Sequence, residues 1–167
     1  MNILQEHWNK QEIVGIDGLF YNTGKVNALC IESKLNPQAI TTYGKVYDLQ
    51  CDGETTIDKL IKRYTNDIWV EFEIAGKLVS DNGNCFLYGE GAMGNEGYVT
   101  KLDSLGQVLW IFFSTTSNPF VDSKMLDKNL FGFLSTHEFI LTVDDSCEDT
   151  PKFNIINPDF ENDRIYR

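Results

Sequence analysis

The distribution of apolar and polar residues along the chain predicts more strands than helices. Residues 68–74 alternate between apolar and polar positions, which is typical of an antiparallel strand buried on one face. Residues 12–21, a turn at Asn22-Thr23-Gly24 and residues 25–31 form a predicted hairpin. Further short strands are predicted at residues 46–51, 138–143 and 152–156.

The segment 83–113 predicts three more strands, at residues 85–88, 98–102 and 107–113. A glycine-rich connection at 89–97 separates the first two, and Asp103-Ser104-Leu105-Gly106 forms a predicted hairpin turn between the last two. The last strand is apolar on both faces of its pleat. Such a strand is either covered on both sides or partly reserved for a partner.

Two segments predict helices. Residues 55–64 carry an apolar stripe at helical spacing, and Thr55 with Asp58 resembles a capping box. Ser117-Asn118-Pro119 is a predicted helix start for residues 120–130. The fold class we expect is α+β: an antiparallel β-sheet flanked by a few helices. Residues 1–167 form one predicted domain with a short, polar, mobile C-terminal end.

The charge of the chain restricts its partners. The 14 Lys and Arg residues are outnumbered by 25 Asp and Glu residues, which gives a formal net charge of −11. Such a chain repels phosphate backbones, so we expect neither direct nucleic-acid binding nor membrane binding. The charge favours a cationic partner or serves solubility alone. With neither a signal peptide nor a membrane-spanning run predicted, we expect a cytoplasmic protein with reduced thiols.

The sequence offers no recognisable catalytic or metal-binding motif. Its four cysteines are widely spaced, and only His7 and His137 could add imidazole ligands, so we expect no metal, no cofactor and no enzyme. Residues 89–94 match GxGxxG by their letters. Because a strand rather than a helix is predicted to follow, this match does not indicate a dinucleotide site.

The overall pattern resembles the immunity proteins of contact-dependent growth inhibition (CDI) systems, in the group paired with metal-dependent DNA-nuclease toxins. The residues that carry the resemblance are the strand at 68–74, the block from Gly89 to Trp110, and Ser117-Asn118-Pro119-Phe120. The resemblance implies a sheet similar to the Whirly fold. It also implies a non-enzymatic protein that binds and neutralises the toxin's C-terminal nuclease domain, which is basic. In this group a toxin hairpin can extend the sheet by β-augmentation.

The predicted toxin-binding elements are the loop 89–97 and the acidic and aromatic residues near it. The individual candidates are Glu90, Glu96, Tyr98, Asp103, Trp110 and Asp122. Trp110 is also a candidate core residue, because aromatic side chains serve both roles. Two other functions remain open at this stage. A deep apolar pocket would favour a small-molecule-binding β domain, and a histidine clustered with cysteine or carboxylates in one cleft would favour a hydrolase.

Overall fold

The computed structural model describes residues 2–158; residues 159–167, in the C-terminal end predicted to be mobile, lie outside the described part. Its helices are α1 (Ile3–Trp8) and α2 (Ile57–Tyr64), and a 3₁₀-helix follows at Thr65–Ile68. The strands, in chain order, are β1 (Glu12–Val14), β2 (Gly18–Tyr21), β3 (Lys25–Leu35), β4 (Lys45–Thr56), β5 (Trp69–Glu71), β6 (Glu73–Val79), β7 (Cys85–Glu90), β8 (Gly97–Leu102), β9 (Val108–Ser114), β10 (Phe120–Asp127), β11 (Leu130–Ser135), β12 (Ile140–Asp144) and β13 (Lys152–Ile156).

Within the described residues, the strands form three antiparallel sheets. A seven-stranded sheet has the order β4-β3-β2-β9-β8-β7-β6, so that β4 and β6 are its edges. A four-stranded meander, β10-β11-β12-β13, packs on one face of it, and β1 pairs with β5 as a small ribbon. The predicted α+β, sheet-dominated class is therefore confirmed. The covering of the seven-stranded sheet differs from expectation, because one face is covered by a second sheet rather than by helices.

The core consists of two layers, one on each face of the seven-stranded sheet. The layer beneath the four-stranded sheet is rich in aromatic rings, and its buried members include Phe86, Trp110, Phe112, Phe131 and Phe133. The opposite layer is closed by α1, α2 and the β1–β5 ribbon, and its buried members include Leu4, Ile13, Ile57, Tyr98 and Phe113.

Strand β9 lies in the middle of this three-layer arrangement. Trp110 and Phe112 face one layer while Ile111 and Phe113 face the other, and all four side chains are at most 1% exposed. The run that is apolar on both faces is thus covered on both sides by the chain itself.

Residues 120–130 do not form the predicted helix. They form β10 and the start of β11, joined by a turn in which Asn129 has φ 58°. The predicted cap residue Asn118 has φ 61° and sits in a loop that leads into β10. Phe120 is completely buried between the sheets. Burial of its ring in a strand outweighs the weak helical periodicity of this segment.

The predicted strand at residues 68–74 is also divided. Ile68 ends the 3₁₀-helix, β5 pairs with β1, and β6 pairs with β7 in a different sheet. Phe72 lies between the two strands. Its ring packs against the ring of Trp8 at a centroid distance of 4.4 Å and against the ring of Tyr98 at 5.2 Å. The predicted strand at residues 12–21 is divided in the same way, because β1 pairs with β5 whereas β2 pairs with β3 and β9.

The predicted helix at residues 55–64 is confirmed, with a shifted start. Strand β4 continues to Thr56, so the side chain of Thr56, rather than Thr55, accepts the capping hydrogen bond from the Lys59 amide. The hairpins at 22–24 and 103–106 and the strands near 46–51, 138–143 and 152–156 are present with adjusted ends.

Candidate functional site

An acidic cleft lies where the edge strand β6 begins and β7 ends. Its volume is about 450 Å³. We call it the glutamate cleft, and it is lined by Lys10, Gln11, Glu71, Phe72, Glu73, Glu90, Gly91, Ala92, Met93 and Gly94. The last four of these residues lie in the connection between β7 and β8, and Glu90 ends β7; all five belong to the glycine-rich segment 89–97 predicted from the sequence.

Glutamates occupy directly opposed strand positions at and beside this cleft. Glu73 on β6 is directly opposite Glu90 on β7, and Glu71 on β5 is directly opposite Glu12 on β1. Like charges at directly opposed positions destabilise a sheet. His7 relieves one of the pairs, because its Nδ1 lies 2.6 Å from Glu12 Oε2. The opposition of Glu73 and Glu90 therefore disfavours the isolated chain and favours a cationic ligand.

The loop wall of the cleft is held by Glu96. Its carboxylate accepts a hydrogen bond from the Met93 amide at 3.2 Å, and its own amide donates to the Met93 carbonyl at 3.0 Å. The residue is only 8% exposed, and the Gly91 backbone packs against its side chain. Glu96 thus shapes the loop, while Glu90 offers its partly buried carboxylate to the cleft.

Tyr98 supports the cleft from inside the protein. Its hydroxyl donates to the Glu73 carbonyl at 3.2 Å, and its ring packs against Trp8 and Phe72. Burial raises the pKa of this phenol strongly, so it stays protonated and keeps donating. As Tyr98 is fully buried, its part in any site is to position the start of β6.

The remaining predicted residues lie elsewhere. Asp103 follows β8, at the end of that strand away from the cleft, and its carboxylate accepts hydrogen bonds from the amides of Leu105 and Gln107, both at 2.9 Å. Asp122 is exposed on β10 and accepts from the Ser123 amide. Trp110 is 1% exposed, so its indole belongs to the core and presents no contact surface. The structure therefore brings Glu90, Glu96 and Tyr98 together, and separates the other three from them.

A second groove of about 580 Å³ continues from the cleft along β6. It shares Gln11, Phe72 and Glu73 with the glutamate cleft and adds apolar side chains, of which Ile74 is 55% exposed. As an edge strand, β6 is hydrogen-bonded to β7 on one side only. The cleft thus adjoins a strand edge with exposed apolar and main-chain groups.

The two histidines are engaged in separate contacts. The His7 ring is stacked on Trp69 with centroids 3.5 Å apart, which joins α1 to β5. His137 Nδ1 lies 2.7 Å from the Tyr47 hydroxyl, and burial lowers the pKa of His137. Within residues 2–158, no group of three or more His, Cys, Asp or Glu side chains is arranged to hold a metal ion.

The sequence indicates the loop but not the opposite wall of the cleft, which is formed by Lys10, Gln11, Glu71 and Glu73. The signal present in the sequence is the pair of glutamates at positions 71 and 73, which the alternating pattern places on the solvent face of one continuous strand. Comparisons with protein-family models, curated proteins and solved structures gave no match. Among the described residues, no helix has the length and apolar character needed to cross a bilayer.

Proposed function

We propose that the protein is a non-enzymatic, cytoplasmic immunity protein that binds and neutralises the basic nuclease domain of a CDI toxin. The observation that carries this proposal is the opposition of Glu73 and Glu90 in a cleft beside an exposed strand edge. Of the described residues that line the cleft, Lys10 is the one cation, and it stands against three glutamates. A partner that inserts a lysine or arginine would relieve their repulsion.

The overall charge supports the same partner class. A nuclease domain presents positive charge in order to hold DNA, and a chain of net charge −11 attracts that surface. Electrostatic attraction of this kind chiefly increases the rate of association. Rapid capture is the property that a neutralising protein needs when a toxin enters the cell.

The strand edge supplies the second element of the proposal. A toxin strand that lies along β6 would gain main-chain hydrogen bonds, while the adjacent groove offers Ile74 and Phe72 as apolar contacts. Specificity would then come from the glutamates, because a toxin without matching cations would bury them unpaired. The carboxylate-rich lining offers little to a small apolar ligand, so it does not favour a small-molecule-binding domain.

The test requires the nuclease domain encoded next to this chain's reading frame. Cells that produce this domain are grown with the wild-type protein or with the variant Glu73→Gln/Glu90→Gln. If each glutamate makes a charge-assisted contact of about 1.5 kcal/mol, the double variant binds roughly 100-fold more weakly. We expect protection to be lost, while the free variant melts at the same or a higher temperature because the repulsion is gone.

The matched control is Glu32→Gln/Asp48→Asn, which removes another pair of directly opposed, exposed carboxylates, on β3 and β4 and away from the cleft. It should leave protection and binding within about twofold of wild type, since exposed charges outside the contact surface contribute little. Full protection by Glu73→Gln/Glu90→Gln would remove the glutamate cleft as the site. Failure of the wild-type protein to bind any adjacent nuclease domain would remove the proposed function itself.

A further inference from the structure

A lysine is fully buried between the two large sheets. Lys101 lies on β8 with its side chain 1% exposed, directly opposite Phe86 on one neighbouring strand and Trp110 on the other. Both aromatic residues belong to the core layer beneath the four-stranded sheet, so the lysine stem passes through apolar surroundings. A lysine is found in such a place only when a partner compensates its charge.

The partner is a carboxyl group of the opposite sheet. Asp145 follows β12, its side chain is 6% exposed, and its Oδ2 lies 2.7 Å from Lys101 Nζ. Within the described residues, neither Lys101 Nζ nor Asp145 Oδ1 has a hydrogen-bond partner of regular geometry. The two groups are therefore in close contact, yet their hydrogen-bonding capacity is incompletely used, which makes a buried ion pair costly.

A second carboxylate stands beside the pair. Glu148 Oε1 lies 3.7 Å from Lys101 Nζ and accepts a hydrogen bond from Asn84 Nδ2 at 3.2 Å. Its side chain is 64% exposed, so it can exchange protons with solvent. Burial raises the pKa of Asp145, although the nearby lysine opposes this effect. A raised pKa increases the fraction of Asp145 that is present as the acid, the form with a better leaving group.

We propose that Lys101 and Asp145 condense into a side-chain amide, an isopeptide bond that joins β8 to the end of β12. Lys101 Nζ forms a bond to Asp145 Cγ, and the bond from Cγ to one carboxyl oxygen breaks. Nζ gives up two protons in passing from ammonium to amide, and the departing oxygen carries both of them away as water. Glu148 takes a proton from Nζ and returns it to the leaving oxygen, so no external reactant is consumed.

The fold supplies the two conditions that this condensation needs. It holds the lysine nitrogen 2.7 Å from an oxygen of the carboxyl group that it attacks, between two packed sheets, which replaces a bimolecular encounter. It also excludes bulk water and exchanges two buried charges for one neutral amide. Asp145 lines a cleft of about 270 Å³ with Ser80, Asn82 and Asn129, and this cleft gives the released water a path to the surface.

The decisive measurement is the intact mass of the purified, denatured protein. We expect a deficit of about 18 Da, the mass of one water, relative to the sequence. In Lys101→Met and in Asp145→Ala the deficit should be absent. In Asp145→Asn the same amide would release ammonia, so we expect a deficit of about 17 Da. The matched control Lys77→Met removes an exposed lysine on β6 and should retain the wild-type deficit.

Tryptic digestion locates the bond. Because a modified Lys101 resists cleavage, we expect residues 78–124 to appear joined to residues 129–152. A succinimide at Asp17-Gly18 or Asp52-Gly53 would produce the same loss of water, but it hydrolyses at mildly alkaline pH and joins no peptides. A wild-type mass without a deficit after prolonged incubation would overturn the proposal, even if the Lys101 variant did not fold. A deficit that persists in Lys101→Met or maps to an Asp-Gly pair would overturn it as well.

Discussion

Replacing single glycines at the end of β7 and in the loop that follows it tests how the glutamate cleft is built. A Cβ on Gly89 would lie 2.9 Å from the Ala75 amide nitrogen and closer still to the Glu73 carbonyl oxygen, below the 3.0 Å that real Cβ contacts keep. Both atoms belong to the β6 backbone, which cannot rotate aside as a flexible side chain can. A Cβ on Gly94 would meet nothing within 4 Å. Gly89→Ala and Gly94→Ala are therefore a matched pair.

The size of the effect follows from the strand spacing. Relief of the Gly89→Ala clash requires β6 to move away from β7 by roughly 1 Å, which stretches hydrogen bonds of ~2.9 Å beyond their useful range. Loss of two such bonds costs about 2 kcal/mol, and the strain that remains adds roughly 1–3 kcal/mol. We expect Gly89→Ala to lower the free energy of unfolding by about 3–5 kcal/mol, and Gly94→Ala to change it by less than about 0.5 kcal/mol.

Urea denaturation followed by tryptophan fluorescence measures both values, with circular dichroism as a second probe of the same transition. A loss of 3 kcal/mol corresponds to a drop of roughly 6–12 °C in Tm for a chain of this size. Equal stabilities for the two alanine variants would show that β6 does not lie tightly against Gly89. The description of the cleft's inner wall would then be wrong.

Three further outcomes follow from the same structure. Trp110→Ala should lower the free energy of unfolding, measured in urea, by about 3–5 kcal/mol whether or not a partner is present. A loss under about 1 kcal/mol would contradict the placement of the Trp110 side chain in the core. Burial, and secondarily the charge of Lys45, lowers the pKa of His137 from 6.5, while Glu138 opposes this. His137 then binds a proton less readily in the folded protein than in the unfolded chain, so the free energy of unfolding should fall as the pH drops below about 6.5. The fall should be less steep in His137→Gln, and an equal dependence on pH in the two proteins would exclude His137 as its cause. Association with a basic nuclease domain should slow as salt rises, because the Debye length shortens from ~10 Å at 0.1 M to ~3 Å at 1 M, and a flat stopped-flow rate would contradict steering.

The parts of the fold that the sequence predicted are those encoded by neighbouring residues. The turn at residues 22–24 ends in Gly24 with φ 92°, and the turn at 103–106 ends in Gly106 with φ 79°. At such angles glycine is strongly preferred, so the letters alone indicate where the chain reverses. The helix α2 is equally local, because its apolar stripe and its threonine cap lie within ten residues of each other.

The incorrect predictions share a different cause. Nothing local distinguishes residues 68–74 from one continuous strand, and the break at Phe72 arises because its ring joins a layer built from α1 and β8. Residues 120–130 become strands because Phe120 and Phe131 are needed in the core between the two sheets. Such choices depend on contacts between distant segments, which propensity and periodicity do not record.

In the candidate site, too, only the residues marked by a local sequence signal could be predicted. The loop 89–97 stands out in the sequence because of its glycines, and three of these positions have packing reasons. Gly89 packs against β6, Gly91 against Glu96, and Gly97 against the Asn118 carbonyl oxygen and the Ser117 side chain. Glu71 and Glu73 could not be recognised, because only the pairing of β5 with β1 and of β6 with β7 places them opposite other glutamates.

The three-layer arrangement limits where a partner can bind. Both faces of the seven-stranded sheet are covered by the chain itself, so a partner that binds this sheet must use one of its edges or loops. At the edge strand β4, the Asn157 side chain already donates to the Tyr47 carbonyl at 2.8 Å and accepts from the Tyr47 amide at 2.7 Å, in the manner of a neighbouring strand. The edge at β6 adjoins two clefts and the opposed pair Glu73 and Glu90. The edge at β4 also has an opposed acidic pair, Glu32 and Asp48, but the cleft beside it is lined by Asn157 itself. Because Asn157 already bonds the main chain of β4 at Tyr47, we propose β6 as the edge at which a cationic partner binds.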